Sequence, residues 1–433
     1  MKKTVNIILM ILIFGFSQAQ EATPISKSEV LSKVQEHNTS IKISEASFNE
    51  ARGDFKQTNA IFLPNISVSH TGISTTNPLM AFGSKLNQEI LTQNDFNPAL
   101  LNDPDQTQNF ATRIAVQQPL INLDGFYQRK AANSKMKAME LQSERTKDYM
   151  NFEVENAYMQ LQLAYKAVDV LEKALSAAQA NLELANNSFK QGYLQRSDVL
   201  SVEVRVGEVK NQLQVAKSNV KNASNYLSFL MNESSETIYA PSDSLTVSVM
   251  NSELVSGIEN RADVKAMELA SDARASMYKA DKMTFLPTLN AFASYELYDD
   301  QIFQADANGY LFGAELKWNI LEGTKRFGKA QKAKATYEKS KLEYNQYVSK
   351  SQLEINKTQR ALEDAYNKLA LAQLAVEQSK EALRIRTNRF GEGLEKTTDL
   401  LMAETMYAQK QLEYYQTIFQ YNSTQAYLQF LTK

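Results

Sequence analysis

One stretch of this sequence occurs twice. Residues 189–200 read FKQGYLQRSDVL and residues 390–401 read FGEGLEKTTDLL, so Phe189 aligns with Phe390, Gly192 with Gly393, Asp198 with Asp399 and Leu200 with Leu401. Each aligned pair is 201 residues apart. Each copy lies between two long apolar repeats, so each reads as the bend of a helical hairpin, and two hairpins in register are an internal duplication. A chain of 433 residues would ordinarily divide into two or three domains. The duplication argues instead for one elongated unit built from two similar halves.

Before the first bend the apolar run is Met150, Val154, Ala157, Leu161, Ala164, Val168, Leu171, Leu175, Ala178, Leu182, Ala185 and Phe189. Its steps alternate four and three without a break, the seam of a coiled coil. The returning run is Val199, Val202, Val206, Val209, Leu213, Ala216, Val220, Ala223, Leu227 and Leu230. The second copy gives Leu362, Ala365, Leu369, Ala372, Val376, Leu383 and Phe390, then Leu400, Ala403, Tyr407, Tyr414, Tyr421 and Leu428. Gly192 and Gly393 suit a helix exit, where glycine tolerates the left-handed conformation. Two readings fit Asp198 and Asp399: N-caps of the returning helices, or exposed functional acids.

Charge and composition remove several function classes. With 47 basic and 49 acidic residues the formal charge is −2, so there is no surplus for binding nucleic acid. The absence of cysteine excludes disulfides, thiolate metal sites, a cysteine nucleophile and a lipidated N-terminal cysteine. His37 and His70 are the two histidines and lie far apart, which argues against a histidine metal site or triad. At the N-terminus Lys2 and Lys3 precede an apolar run over residues 5–16, followed by the small residues Ser17 and Ala19. The pattern reads as a secretory signal over residues 1–19; the competing reading, a retained anchor, has a short apolar core for a membrane span.

Each half then follows one order. Residues 25–61 are helical in pattern and stop at Phe62-Leu63-Pro64, because proline disfavours helix in the residue before it. Residues 65–73 alternate as a strand, a polar loop runs over 75–108, and 111–118 alternate again, with Ile114 and Val116 opposite Arg113 and Gln117. Pro119 and an Asp124-Gly125 turn precede a helix from Phe126. In the second half a helix over about 252–284 ends at Phe285-Leu286-Pro287, followed by strands at 289–298 and 310–318. On the last strand Tyr310, Phe312, Ala314, Leu316 and Trp318 share one face, and Gly313, Glu315 and Lys317 share the other.

Four strands of about ten residues, apolar on one face and charged on the other, fit a membrane barrel with a wet interior; a soluble sheet packed on helices shows the same alternation. In the membrane reading Arg113, Glu315 and Lys317 face the lumen, and Tyr298, Tyr310 and Trp318 lie near strand ends as interfacial rings. Four strands cannot close a barrel, and open edges in hydrocarbon leave costly unpaired backbone groups. Several copies must therefore share one barrel. The hairpins give long helices over 126–188 and 324–388, each about 95 Å at 1.5 Å per residue, and returning helices of about half that reach. Residues 233–251 then form an extended connector between a first repeat over 20–232 and a second over 252–433.

The chain resembles the TolC family of outer-membrane efflux proteins over nearly all of its mature length. The resemblance is carried by Asn260-Arg261-Ala262-Asp263-Val264, the two Phe-Leu-Pro junctions, Gln118-Pro119-Leu120 and the paired bends. It implies a mainly α fold: duplicated hairpins form a trimeric α-barrel, and four strands per chain make a shared twelve-stranded β-barrel in outer-membrane lipid. It further implies a passive exit duct, joined by a periplasmic adaptor to an inner-membrane transporter, with no cofactor and no chemistry on the substrate. By position, Phe189, Gly192, Asp198, Phe390, Gly393 and Asp399 belong to periplasmic tips that meet the adaptor. Asp399 and Glu395 would lie at the entrance, and three copies of Asp399 would form a ring of like charge attracting cations. The chain departs from the best-known members at Met402, where they carry another acid, and at Glu395, where a gate arginine is expected. A closing network of the same design is therefore not carried over. Exit of secreted proteins fits the same architecture, and a non-porous periplasmic coiled-coil protein is the alternative of a different class.

Overall fold

The computed structural model describes residues 22–249 and 258–433; the signal reading over 1–19 and the junction between the two repeats lie outside them. The first half gives β1 (Thr23–Ile25), α1 (Lys27–His37), α2 (Thr39–Gln57), β2 (Asn65–Thr75), α3 (Pro78–Asn87), α4 (Pro98–Asn102), β3 (Thr107–Ile121), α5 (Leu123–Lys190) and α6 (Arg196–Met231). After β4 (Tyr239–Pro241) the second half gives α7 (Ala262–Met283), β5 (Thr288–Asp299), β6 (Ala307–Lys317), α8 (Lys325–Gly391) and α9 (Thr397–Thr432). Two units emerge: Met1–Ala46, Gln142–Val264 and Tyr347–Lys433 in one, Ser47–Leu141 and Lys265–Gln346 in the other. Each unit draws on both halves of the sequence.

In the first unit the heptad positions form the core. Met150, Val154, Ala157 and Leu161 of α5 are buried with Leu227 and Leu230 of α6 and with Val30 and Val34 of α1. Ala185 near the end of α5 is buried with Val199 and Val202 at the start of α6. The helical pattern over 25–61 is not one helix. Ile25 belongs to β1, which pairs in parallel with β4 of the connector. Asn38 then breaks the helix: its Oδ1 accepts from Ser40 N at 2.9 Å, its Nδ2 donates to Leu230 O at 2.8 Å, and its backbone closes α1. One side chain thus ends one helix and starts the next.

The second unit is a four-stranded sheet in the order β2-β3-β5-β6, with every neighbouring pair antiparallel. The first three strands cover the expected segments and the fourth all of its own but the last residue, and β3 runs on through Pro119 with a register shift between Pro119 and Ile121. A bulge accommodates a proline that cannot donate to the ladder. Three local expectations change. The polar loop over 75–108 contains α3 and α4, each opened by an asparagine N-cap followed by proline: Asn77 accepts from Met80 N, and Asn97 from Ala99 N. The Asp124-Gly125 turn is inside the first turn of α5, because Asn122 Oδ1 accepts from Gly125 N at 2.9 Å and caps the helix earlier. Its counterpart Gly323 does occupy a turn, with φ of 59°. β6 ends at Lys317, leaving Trp318 just outside the strand.

Candidate functional site

The bends of the first unit show how duplication and divergence combine. At the end of α5, Gly192 has φ of 81°; its N–H donates to Phe189 O at 2.9 Å, and Tyr193 N donates to Ser188 O at 2.9 Å. At the end of α8, Gly393 has φ of 75°; its N–H donates to Phe390 O at 3.0 Å, and Leu394 N donates to Arg389 O at 2.9 Å. Both are Schellman closures, in which glycine takes the left-handed position without a Cβ clash. Phe189 is half exposed while Phe390 is buried.

The aspartates are not the N-caps. Gln195 caps α6 and Lys396 precedes α9, which puts Asp198 and Asp399 in the first turn of their helices. Asp198 completes a capping box, its carboxylate accepting from Gln195 N at 3.0 Å. Asp399 faces Arg386 instead, at 3.8 Å. Behind this difference is a paired substitution between the repeats. In the first bend, Leu194 packs on Ala185, Val199 and Val202. At the equivalent positions the second bend has Glu395 for Leu194 and Arg386 for Ala185. Glu395 there binds Arg386 at 2.9 Å and Arg389 at 3.0 Å. An apolar seat in one hairpin has become an ion cluster in the other.

The two hairpins touch just behind the bends. Leu401 of α9 packs on the apolar seat of the first bend. Deeper in, Glu404 of α9 is 8% exposed; its Oε1 accepts from Asn181 of α5, and its Oε2 has no hydrogen-bond partner among the described residues. Burial raises the Glu404 carboxyl above the usual glutamate range, against smaller opposing effects of Asn181 and of Arg205 on α6.

The Asn260–Val264 motif holds the C-terminal end of α9. Arg261 forms a two-pronged pair with Asp263, at 3.0 and 2.6 Å, and its Nη1 donates to Leu431 O at 3.2 Å. Arg145 of α5 donates to Phe430 O at 2.9 Å and lies 3.3 Å from the Asp263 carboxylate. Burial works to raise Asp263, but hydrogen bonds from Arg261 and Tyr347 outweigh it and hold the carboxyl below its usual range. These guanidinium groups satisfy carbonyls that the helix end leaves open.

In the second unit the register aligns two apolar rows on one face, while Ile73, Phe292, Tyr298 and Leu311 fall on the face of Arg113 and Glu296, so Tyr298 does not share the apolar face with Tyr310. Val68, Ile114, Tyr295 and Tyr310 lie straight across the four strands, as do Ile66, Val116, Ala293 and Phe312. Nothing in the unit covers them: Tyr310 is 77% and Phe312 75% exposed. The next row, Ser69, Arg113, Glu296 and Gly309, belongs to the opposite face. Arg113 pairs there with Glu296 at 3.1 Å, and alternation puts Glu315 and Lys317 on the same face. The two Phe-Leu-Pro junctions are tied to this sheet in matching fashion. Gln118 donates to Phe62 O and Trp318 donates to Phe285 O, each at 3.0 Å.

Sequence reasoning put glycine bends at Gly192 and Gly393, where both have positive φ, but missed Arg386, Arg389, Asn181, Arg205, Glu404 and Arg145. For Arg386 and Glu395 the signal is present in the sequence: both depart from the internal repeat, and their charges are opposite. Among the described residues no group of three or more metal-ligating side chains is placed to hold a metal ion, and no helix is long and apolar enough to cross a membrane.

A family model described as outer membrane efflux protein matches residues 30–233 and 255–432. No curated protein matches the chain. Among solved structures, a membrane protein from Pseudomonas aeruginosa aligns with TM-score 0.82 at 16% identity, covering 94% of this chain and 92% of its own. The outer membrane protein VceC from Vibrio cholerae aligns with TM-score 0.79 at 18% identity, covering 93% and 94%. The CmeC outer membrane channel of Campylobacter jejuni aligns with TM-score 0.77 at 15% identity, covering 96% and 90%. At these identities the likeness is one of fold.

Proposed function

Since the chain belongs to the outer membrane efflux protein family, we propose that it is the passive exit duct of a tripartite pump, working as a homotrimer with a periplasmic adaptor and an inner-membrane transporter. It is an outer-membrane channel protein and not an enzyme. The observation that carries the finer reading is the open sheet. Among the described residues its β2 and β6 edges have no partner, and its apolar face is exposed. In hydrocarbon such edges cost several kcal/mol per unpaired group. With an even number of strands, β6 of one copy meets β2 of the next antiparallel, so identical copies continue the ladder without a break. Three copies give twelve strands, within the range of membrane barrels. Strands of 11 residues, tilted by about 45°, span about 25 Å, the height of an apolar band. The polar face then lines the lumen with Arg113, Glu296, Glu315 and Lys317.

The bends are the adaptor-docking tips in this reading, and the Arg386–Glu395–Arg389 cluster distinguishes the second tip from the first. The test is purification of the mature chain. A detergent-requiring trimer with single-channel conductance is expected, and a detergent-free monomer would sink the proposal. Gly393→Pro removes the N–H that closes the second bend and should abolish efflux while the trimer stays in the membrane. Unimpaired efflux in that variant would detach the adaptor from this bend.

A further inference from the structure

The helix α3, in the loop between β2 and β3, is attached to the polar face of the sheet. Gln88, one residue past its end, is buried, and its Nε2 donates to Gln108 O at 2.8 Å, Asn109 Oδ1 at 2.9 Å and Asp299 O at 3.2 Å. Asn109 lies on the face that carries Arg113, four residues along the same strand. Ala81 and Ser84 are buried on the same side of α3 as Gln88. The other side of the helix is apolar and open. Leu79 is 82% and Leu86 56% exposed, and with Gly83 they form one stripe turned away from the buried one. Among the described residues this leucine stripe has no covering partner. The trimeric duct supplies one, and the inference rests on that reading.

We propose that the α3 helices of three copies meet inside the barrel mouth, Leu79 and Leu86 forming an apolar constriction that Gln88 latches to the wall. Twelve strands about 4.8 Å apart and tilted about 40° give a wall of radius about 12 Å. A helix with its side chains is about 10–12 Å thick. Lying on the inner wall, it reaches the threefold axis, so three copies touch and bury each other's leucine stripes. An apolar constriction narrows the conducting path and lowers ion conductance by partial dewetting. Gln88 Oε1 is buried and has no hydrogen-bond partner among the described residues.

Because the chain has no cysteine, Leu86→Cys in the full-length protein introduces a single thiol per copy. Oxidation of the detergent-purified protein should give disulfide-linked dimers on denaturing gels. In planar bilayers Leu79→Ser with Leu86→Ser should raise single-channel conductance about threefold, and Gln88→Ala should raise it without altering the stripe. A particle shown to be trimeric by light scattering, with no Leu86→Cys cross-link and unchanged conductance in both variants, would overturn the constriction and leave the duct standing. A monomeric particle would overturn both.

Discussion

At the scale of single residues, the buried Glu404 carboxyl is shifted above the usual glutamate range by its burial. Burial raises its pKa, so its folded form holds a proton more tightly than its unfolded form. The stability it contributes is fully present below the ordinary glutamate pKa and is lost as pH rises through the raised folded value. Contact between the hairpins at this level is thus firmest in acid. Glu404→Gln keeps the acceptor for Asn181 and carries no charge. It should gain about 1 kcal/mol at neutral pH and flatten the pH dependence of thermal unfolding. A variant that loses stability at neutral pH would show that Arg205 keeps the carboxylate charged. Asp263 has the opposite sign: its depressed pKa contributes stability above the ordinary aspartate range, lost as pH falls through the folded value.

At the scale of elements, two bends with the same backbone are stabilised differently. The first uses Leu194 on Ala185, Val199 and Val202. The second uses Glu395 between two arginines that are themselves half exposed, a geometry worth only about 1 kcal/mol in water. Arg386→Ala with Glu395→Leu copies the first bend's residues into the second. The double variant should keep the tip as well ordered as the native chain, whereas Glu395→Leu alone strands two guanidinium groups and frays it. Amide hydrogen exchange over residues 386–400 distinguishes these outcomes: equal protection in both variants would remove any role for the ion cluster. High salt should loosen the second bend and leave the first unchanged.

At the scale of the whole molecule, the polar face balances Arg113 and Lys317 against Glu296 and Glu315. In the proposed trimer a lumen lined this way would have weak ionic preference. Arg113→Gln removes one positive charge per copy and frees Glu296. The reversal potential in a salt gradient should shift toward cations. No shift would place Arg113 away from the conducting path.

Much of this was legible before any coordinates. Heptad spacing determined the hairpins, because a seam repeating every seven residues buries only against another helix. The internal repeat located both bends, because glycine alone closes them without strain. Strict alternation sorted each strand's faces, because a side-chain period of two leaves no other register. The sequence did not show that Asn38 splits one apparent helix, that Asn122 caps α5 ahead of an Asp-Gly pair, or that a polar loop folds into α3. Each depends on a side chain accepting a local N–H, which competes with the pattern and leaves no periodic trace. Tertiary structure alone decided the pairing of Glu404 with Asn181, the grip of Arg145 and Arg261 on the end of α9, and the attachment of Gln88 to the sheet. Those contacts join residues up to 285 apart, and no local rule of spacing or propensity reaches that far.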